Sequence, residues 1–203
     1  MFVLGLTGSI GMGKSTTAAM FRKLGIPVHD SDKTVHRLYS GALAPLIEAA
    51  FPGTVSNGSV DRVLLGNIVM ANPTELRKLE SIVHPFVRQE EQLFFSKALL
   101  TRSQLVVLDM PLLFETKGDS RVDAVLVVTA PLSVQRDRVL SRPGMTEKRF
   151  ADILKRQMPD AEKRRGAHFI VETDKGLDPA RKQVFDIVHA LSAAMGTHRT
   201  VDA

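Results

Sequence analysis

The sequence predicts an α/β protein built on a five-stranded parallel sheet with helices on both faces. Three observations carry this. Five short apolar runs recur along the chain, at Phe2–Thr7, Pro27–His29, Leu105–Leu108, Ala124–Val128 and His168–Val171. Helical patterns separate them. The runs are uniformly apolar rather than alternating, as expected of strands buried on both sides and joined by crossover helices. A length of 203 residues suits one domain, or one domain with an insertion.

The first run is a strand that ends at the glycine-rich stretch Gly8–Gly13. A helix starts near Lys14 and runs to Leu24, with Ala18, Ala19, Phe21 and Leu24 on its apolar face and Gly25 at the stop position. After the second strand, residues 31–101 read as mostly helical. Ser31 or Asp32 caps a short helix bearing Val35, Leu38 and Tyr39. Asn57-Gly58 is a turn, and Asp61 precedes an apolar helical stretch to Met70. Asn72-Pro73 offers an N-cap followed by proline at the first helical position. Pro85 opens a long amphipathic stretch to Leu100. Beyond the third and fourth strands, Ser133–Ser141 is an arginine-rich helix and Thr146 caps a helix to Met158. Lys163, Arg164 and Arg165 read as a surface run. Asp178-Pro179 starts a last helix, with Val184, Ile187, Val188 and Leu191 on one face and Gly196 just past its end. The tail from Thr197 frays. The core therefore comprises residues 1–30, 102–135 and 166–196, with a helical insertion at 31–101 and a lid at 136–165.

Composition narrows the chemistry. The chain has no cysteine, which excludes disulfides, cysteine nucleophiles and zinc–thiolate sites. No apolar run reaches the ~18 residues of a membrane span. The apolar segment before Gly8 is too short for a signal peptide, so a cytoplasmic protein without a membrane partner is expected. The formal net charge is +5, which points to an anionic partner, either a nucleic acid or a phosphorylated small molecule. Aromatic residues are only 5%, with no tryptophan and one tyrosine, so platforms for stacking bases are scarce. The basic residues are also spread along the chain rather than gathered in an arm. A nucleic-acid-binding module is therefore the weaker alternative.

Gly8-Ser9-Ile10-Gly11-Met12-Gly13-Lys14-Ser15 matches the pattern G-x-x-x-x-G-K-[ST]. Its glycines let backbone N–H groups wrap one anion, and the following helix adds its positive end. Lys14 would reach the β- and γ-phosphates of a nucleoside triphosphate, and the Ser15 hydroxyl would ligate Mg²⁺. At average residue frequencies the pattern arises by chance at roughly 4 × 10⁻⁵ per position, on the order of one chain in a hundred of this length. Here it also follows an apolar strand and precedes a helix, so the fold expected is of the P-loop type. Thr116-Lys117-Gly118-Asp119 resembles a guanine-reading motif, but no Asp-x-x-Gly lies between it and the phosphate loop.

Three further groups fit phosphoryl transfer. Asp30 and Asp32 follow the second strand, where ligands bind in open parallel sheets. Asp32 is the candidate to accept the proton of an attacking hydroxyl, with Asp30 as helper or as ligand to a metal-bound water, although either also suits a helix N-cap. Asp109 ends the third strand, the place of an acid that holds a Mg²⁺-bound water, or of a simple turn residue before Pro111. Arg138 and Arg142, four apart on a helix face, suit a lid that places positive charge over the transferred group, or a solvated basic face.

Taken in order, Leu6–Thr16, Asp30-Ser31-Asp32, His84-Pro85, Asp109–Glu115, the lid residues Gln135, Arg138 and Arg142, and Arg156-Gln157-Met158 resemble the dephospho-CoA kinase family over residues 2 to 195. The resemblance implies a P-loop kinase core, a helical CoA-binding insertion and a lid. It implies phosphorylation of the ribose 3′-hydroxyl of dephospho-CoA, the last step of coenzyme A biosynthesis, with ATP and Mg²⁺. Gly8, Ser9, Ile10, Gly11, Met12, Gly13, Lys14, Ser15 and Thr16 would bind ATP, and Asp32 would act on the hydroxyl. His84, Pro111, Leu112 and Leu113 would lie at the acceptor pocket, and Arg138 and Arg142 would close over the phosphates. Similar sequences often carry an asparagine and a glycine after the last strand. This chain has Glu172-Thr173-Asp174-Lys175-Gly176 there, with no asparagine, so the adenine side stays unassigned. A nucleoside monophosphate or shikimate kinase is the close alternative, although the insertion is large for the latter. A monomer is the simplest expectation for assembly.

Overall fold

The computed structural model describes residues 1–70 and 72–197. The chain enters through β1 (Phe2–Thr7), passes a glycine-rich loop into α1 (Lys14–Lys23) and returns as β2 (Val28–Asp30). Next come α2 (Ser31–Tyr39), α3 (Ala44–Ala50), β3 (Val55–Ser56), β4 (Ser59–Val60), α4 (Arg62–Met70) and α5 (Pro73–Leu100). β5 (Leu105–Asp109), a 3-10 turn (Gly118–Arg121), β6 (Ala124–Thr129) and α6 (Leu132–Leu140) follow. The described chain closes with α7 (Glu147–Arg156), α8 (Asp160–Arg165), β7 (Phe169–Glu172) and α9 (Leu177–Thr197). By contact, it divides into two compact units. One holds Met1–His29 and the chain from Ala98 onward, the other Asp30–Lys97.

The predicted five-stranded parallel sheet forms, in the order β2-β5-β1-β6-β7. The β5 and β6 runs are buried along their whole length, which leaves no face for water. Alternation sorts their side chains between two layers. Leu4 and Leu6 of β1, and Leu126 and Val128 of β6, pack with Ala18 and Phe21 of α1 and Val184, Ile187 and Leu191 of α9. Val125 and Val127 face the other way, against Leu113, with Met110, Phe114 and Val122 partly buried beside them. Parallel register pairs Leu6 with Asp109 and with Leu126. The end of β1, the end of β5 and the middle of β6 therefore stand side by side, and the phosphate loop leaves β1 next to Asp109.

The Asp30–Lys97 unit has its own core, in which Leu38, Leu43, Ile47, Phe51, Leu65, Val69, Leu79 and Val83 pack together. Its details correct the sequence reading in three places. The cap of α2 is Asp30, not Ser31 or Asp32: its Oδ1 accepts from the Lys33 N–H at 3.0 Å. The Asn57-Gly58 turn closes a small hairpin, β3–β4, that the helical pattern hid. Both residues take positive φ, 52° and 75°, as a two-residue hairpin turn of mirror-image type requires. Finally, Pro85 does not open a helix but lies inside α5, which begins at Pro73. Proline in a helix interior costs about 3 kcal/mol. Val83 is buried just before it, and Ile82, Phe86 and Val87 pack on the same cluster. At roughly 1.5–3 kcal/mol for each apolar side chain buried, that packing outweighs the break.

Elsewhere the element ends shift by a residue or two. Thr146 caps α7 as expected, its Oγ1 accepting from the Arg149 N–H at 3.2 Å. The helix α8 was missed, and α9 continues past Gly196 to Thr197. The expected fraying beyond Thr197 lies outside the described residues. Among those residues, no helix is long and apolar enough to cross a membrane.

Candidate active site

The phosphate loop takes its shape from its glycines. Gly8 passes so close to β6 that a Cβ there would lie 2.7 Å from the Val128 carbonyl oxygen. Gly11 sits at φ 78°, where a Cβ would meet Val139 Cγ2 at 2.6 Å. Gly13 stands at the N-cap of α1 in a left-handed conformation, with no side chain to cap the helix. The first-turn N–H groups of α1 thus have neither intrahelical partners nor a side-chain cap, which is the arrangement that receives an anion.

Lys14 Nζ donates to Asp109 Oδ1 at 2.5 Å, and Asp109 is 1% exposed. The sheet register brings the two together: Asp109 lies opposite Leu6, two residues before the loop begins. Sequence assigned both residues but did not pair them with each other. A triphosphate entering the loop would offer the ammonium a second anionic partner.

The tip of the loop is tied from outside by side chains of three other segments. Gln157 Oε1 accepts from the Ile10 N–H at 3.1 Å, and Gln135 Nε2 donates to the Ile10 carbonyl at 2.7 Å. Thr173 Oγ1 donates to the Met12 carbonyl at 2.8 Å. Arg138 spreads its fork over Thr173, Nη1 to Oγ1 at 2.8 Å and Nη2 to the carbonyl at 2.7 Å, with the Gly11 carbonyl at 3.5 Å from Nη1.

Beside these contacts lies a cavity of about 370 Å³ lined by Gly11, Gly13, Thr16, Thr17, Arg138, Arg142, Thr173 and Gly176 among others. Arg138 and Arg142 reach it together, but not from one helix face as the spacing suggested. The helix α6 ends at Leu140, and Arg142 follows in the turn beyond Ser141. The nearby Arg136 instead pairs with Glu147 on the surface. Thr173 is the residue sequence reasoning left unassigned. The retained Gly176, at φ 100°, was the signal for this loop.

The segment after Asp109 folds as a tight turn. The Thr116 N–H bonds the Leu112 carbonyl at 3.0 Å and the Gly118 N–H bonds the Leu113 carbonyl at 2.7 Å. Leu112 is 42% exposed, whereas Leu113 is fully buried against Val125 and Val127. Leu113 therefore supports this segment from below, and Leu112 is an apolar side chain that it presents to solvent. Pro111 gives its carbonyl to Thr7 Oγ1 at 3.1 Å. Glu115 Oε1 accepts from Lys163 Nζ at 2.9 Å and from the Met158 N–H at 2.8 Å. Burial alone would raise the Glu115 pKa. The Lys163 ammonium and the Met158 amide outweigh it and hold the carboxyl below its ordinary value. Lys163 is fully buried, which corrects its reading as part of a surface run. Its charge suggested solvent, but its partner Glu115 lies 48 positions away.

In the other unit, Asp30 holds the start of α2, with Lys33 Nζ also 3.2 Å from its Oδ2. Asp32 lies in the first turn of that helix and is exposed. His84 is exposed on α5, one residue before Pro85. Among the described residues, no group of three or more His, Cys, Asp or Glu side chains could hold a metal ion. Ser15 carries a hydroxyl in the first turn of α1, and Asp109 ends β5 with a carboxylate. Two hard donors completed by water and phosphate oxygens fit Mg²⁺, which rarely takes an all-protein cage.

Comparison with known proteins follows the same lines. A family model described as dephospho-CoA kinase matches residues 2–178. The dephospho-CoA kinase of Mesorhizobium japonicum is 57% identical over 197 residues, covering 97% of this chain and 100% of its own. That of Agrobacterium fabrum is 53% identical over 193 residues, 95% of this chain and 100% of its own. A crystal structure of a Thermus thermophilus protein superposes with a TM-score of 0.81 at 35% identity, covering 93% of this chain and 96% of that one. A dephospho-CoA kinase from Campylobacter jejuni gives a TM-score of 0.61 at 23% identity, over 93% and 96% of the two chains, and supports the fold.

Proposed function

This chain belongs to the dephospho-CoA kinase family, and from that premise we propose that it transfers the γ-phosphoryl group of ATP to the ribose 3′-hydroxyl of dephospho-CoA, giving coenzyme A and ADP. The observation that carries the reading is the phosphate loop. Its uncapped helix start and Lys14 converge beside Asp109, in a chain whose relatives of more than 50% identity carry that name.

The residues divide the work as follows. Backbone N–H groups from Gly8 to Thr16 cradle the phosphates, and Lys14 moves from Asp109 to the β- and γ-phosphates. Ser15 and Asp109 would hold Mg²⁺, which when bound would supply positive charge to the phosphate oxygens. Asp32 orients the attacking hydroxyl and takes its proton. Asp30 is committed to the cap of α2 and so fixes the turn from which Asp32 projects. Arg138 and Arg142 place positive charge beside the loop, in the segment 136–165 that we assign as the lid. Pro111 and Leu112, over the buried Leu113, contact the acceptor together with His84 from the helical insertion at 31–101. The protein acts in the cytoplasm on small molecules, as a monomer.

An ADP-release assay with Mg-ATP tests this, using dephospho-CoA, a nucleoside monophosphate and shikimate as separate acceptors. Turnover is expected with dephospho-CoA alone. Asp32→Asn is expected to lower kcat by about 10²–10⁴-fold while ATP still binds. Turnover with another acceptor and not with dephospho-CoA sinks the reading, and near-normal kcat in the variant removes Asp32 from the role of base.

A further inference from the structure

Lys163 is a fully buried lysine that the phosphoryl chemistry does not use. Removing an ammonium from water costs several kcal/mol, and an apolar side chain of the same size would fill the space without that cost. What the ammonium does is bridge two ends of one turn. It donates to Glu115 Oε1 at 2.9 Å and lies 3.5 Å from the Pro111 carbonyl oxygen. Both acceptors are tied a second time. Thr7 Oγ1, at the end of β1, also holds the Pro111 carbonyl, and the Met158 N–H also holds Glu115 Oε1. The neighbour of Met158, Gln157, in turn accepts from Ile10 in the phosphate loop. The contacts close a ring that runs from β1 through the loop tip, residues 157–158, Glu115, Lys163 and Pro111 back to β1. The turn inside this ring begins two residues after Asp109 and presents Leu112 outward.

We propose that Lys163 is a positioning residue for the phosphoryl acceptor: by bridging Pro111 and Glu115 it fixes the turn that carries Leu112, and with it the seat of the acceptor next to Asp109. This rests on the assignment of Pro111 and Leu112 to the acceptor. The phosphate loop keeps its own ties to Gln135 and Thr173 when the bridge is removed, so the nucleotide is expected to be affected less than the acceptor.

The test compares wild type with Lys163→Met/Glu115→Gln, which removes both charges at nearly constant volume. Such neutral replacement of a buried pair restores stability that a single change loses. Three quantities are measured: the thermal midpoint, KM for each substrate, and amide exchange over residues 110–118. The double variant is expected to keep its thermal midpoint within a few degrees, and its amides at 112–118 to exchange faster. Its dephospho-CoA KM should rise roughly tenfold or more, with ATP KM within about twofold. A stable double variant with wild-type acceptor KM and wild-type exchange overturns the proposal, as does an equal rise in both KM values. Should that variant fail to fold, Glu115→Gln alone keeps the Met158 contact and is expected to shift the same quantities in the same direction, and its failure to do so overturns the proposal. Wild-type inactivity on dephospho-CoA counts against the proposed function and not against Lys163. The exchange comparison needs no substrate, and unchanged exchange rejects the bridge by itself.

Discussion

The Thr173 hydroxyl accepts a hydrogen bond from Arg138 Nη1 at 2.8 Å and donates its own to the Met12 carbonyl at 2.8 Å. One small group thus holds both a basic side chain and the loop beneath it. Thr173→Val keeps the shape and deletes both bonds. A bond to a charged group is worth about 1.5–3 kcal/mol, so ATP KM is expected to rise about tenfold or more while dephospho-CoA KM stays nearly constant. Thr173→Ser retains the hydroxyl and is expected to stay close to wild type. Titration of both substrates checks this, and an unchanged ATP KM in Thr173→Val would show that the hydroxyl does not shape the nucleotide site. Lys14 and Asp109 were legible in the sequence because a spacing motif and a strand end mark them locally. Thr173 was not, because its partner Met12 lies 161 positions away and meets it only through the order of the sheet strands.

At the scale of elements, the strands were legible because burial on both sides leaves an apolar run that no surface segment needs. Charge misled where an element turned out to be short. Lys163, Arg164 and Arg165 read as a surface run, yet α8 turns Lys163 inward and leaves only Arg164 and Arg165 of the three exposed. The tie between α8 and the turn after β5 has a pH signature. The Glu115 carboxyl is held below its ordinary value of 4.5. A carboxyl depressed on folding contributes stability above its unfolded pKa, and that contribution is lost as pH falls through the lower, folded value. Wild type is therefore expected to exceed Glu115→Gln in unfolding free energy by a constant margin at neutral pH. The margin should shrink as pH drops below about 4.5, because the unfolded chain then takes up the proton first. Denaturant unfolding of both proteins at a series of pH values measures the margin. A gap that is flat down to acid, or that widens, contradicts the charged pairing of Glu115 with Lys163.

At the scale of the whole molecule, of the basic residues behind the formal charge of +5, Lys14 pairs with Asp109 at the loop, and Arg138 and Arg142 line the cavity beside it. Many of the other basic residues form exposed pairs, such as Lys182 with Asp186 and Arg181 with Asp178, which contribute little to stability. Stability comes instead from separate apolar clusters, and those of the Met1–His29 and Ala98-onward unit share no residue with that of Asp30–Lys97. The chain crosses between the units twice, at His29–Asp30 and at Lys97–Ala98. A defect in the second cluster should therefore be felt first within its own unit. Ile47 is fully buried there, and Ile47→Ala is expected to cost about 2–5 kcal/mol through lost burial and the cavity left behind. Because the sheet retains its own core, opening of the Asp30–Lys97 unit becomes cheaper than global unfolding. Amide exchange is then expected to accelerate in α2–α4 and the first turns of α5, while protection in β1, β5 and β6 persists and a nonhydrolysable ATP analogue still binds. An equal loss of protection in both units would mean that the two clusters unfold as one cooperative core, and the separation drawn from their packing would be wrong.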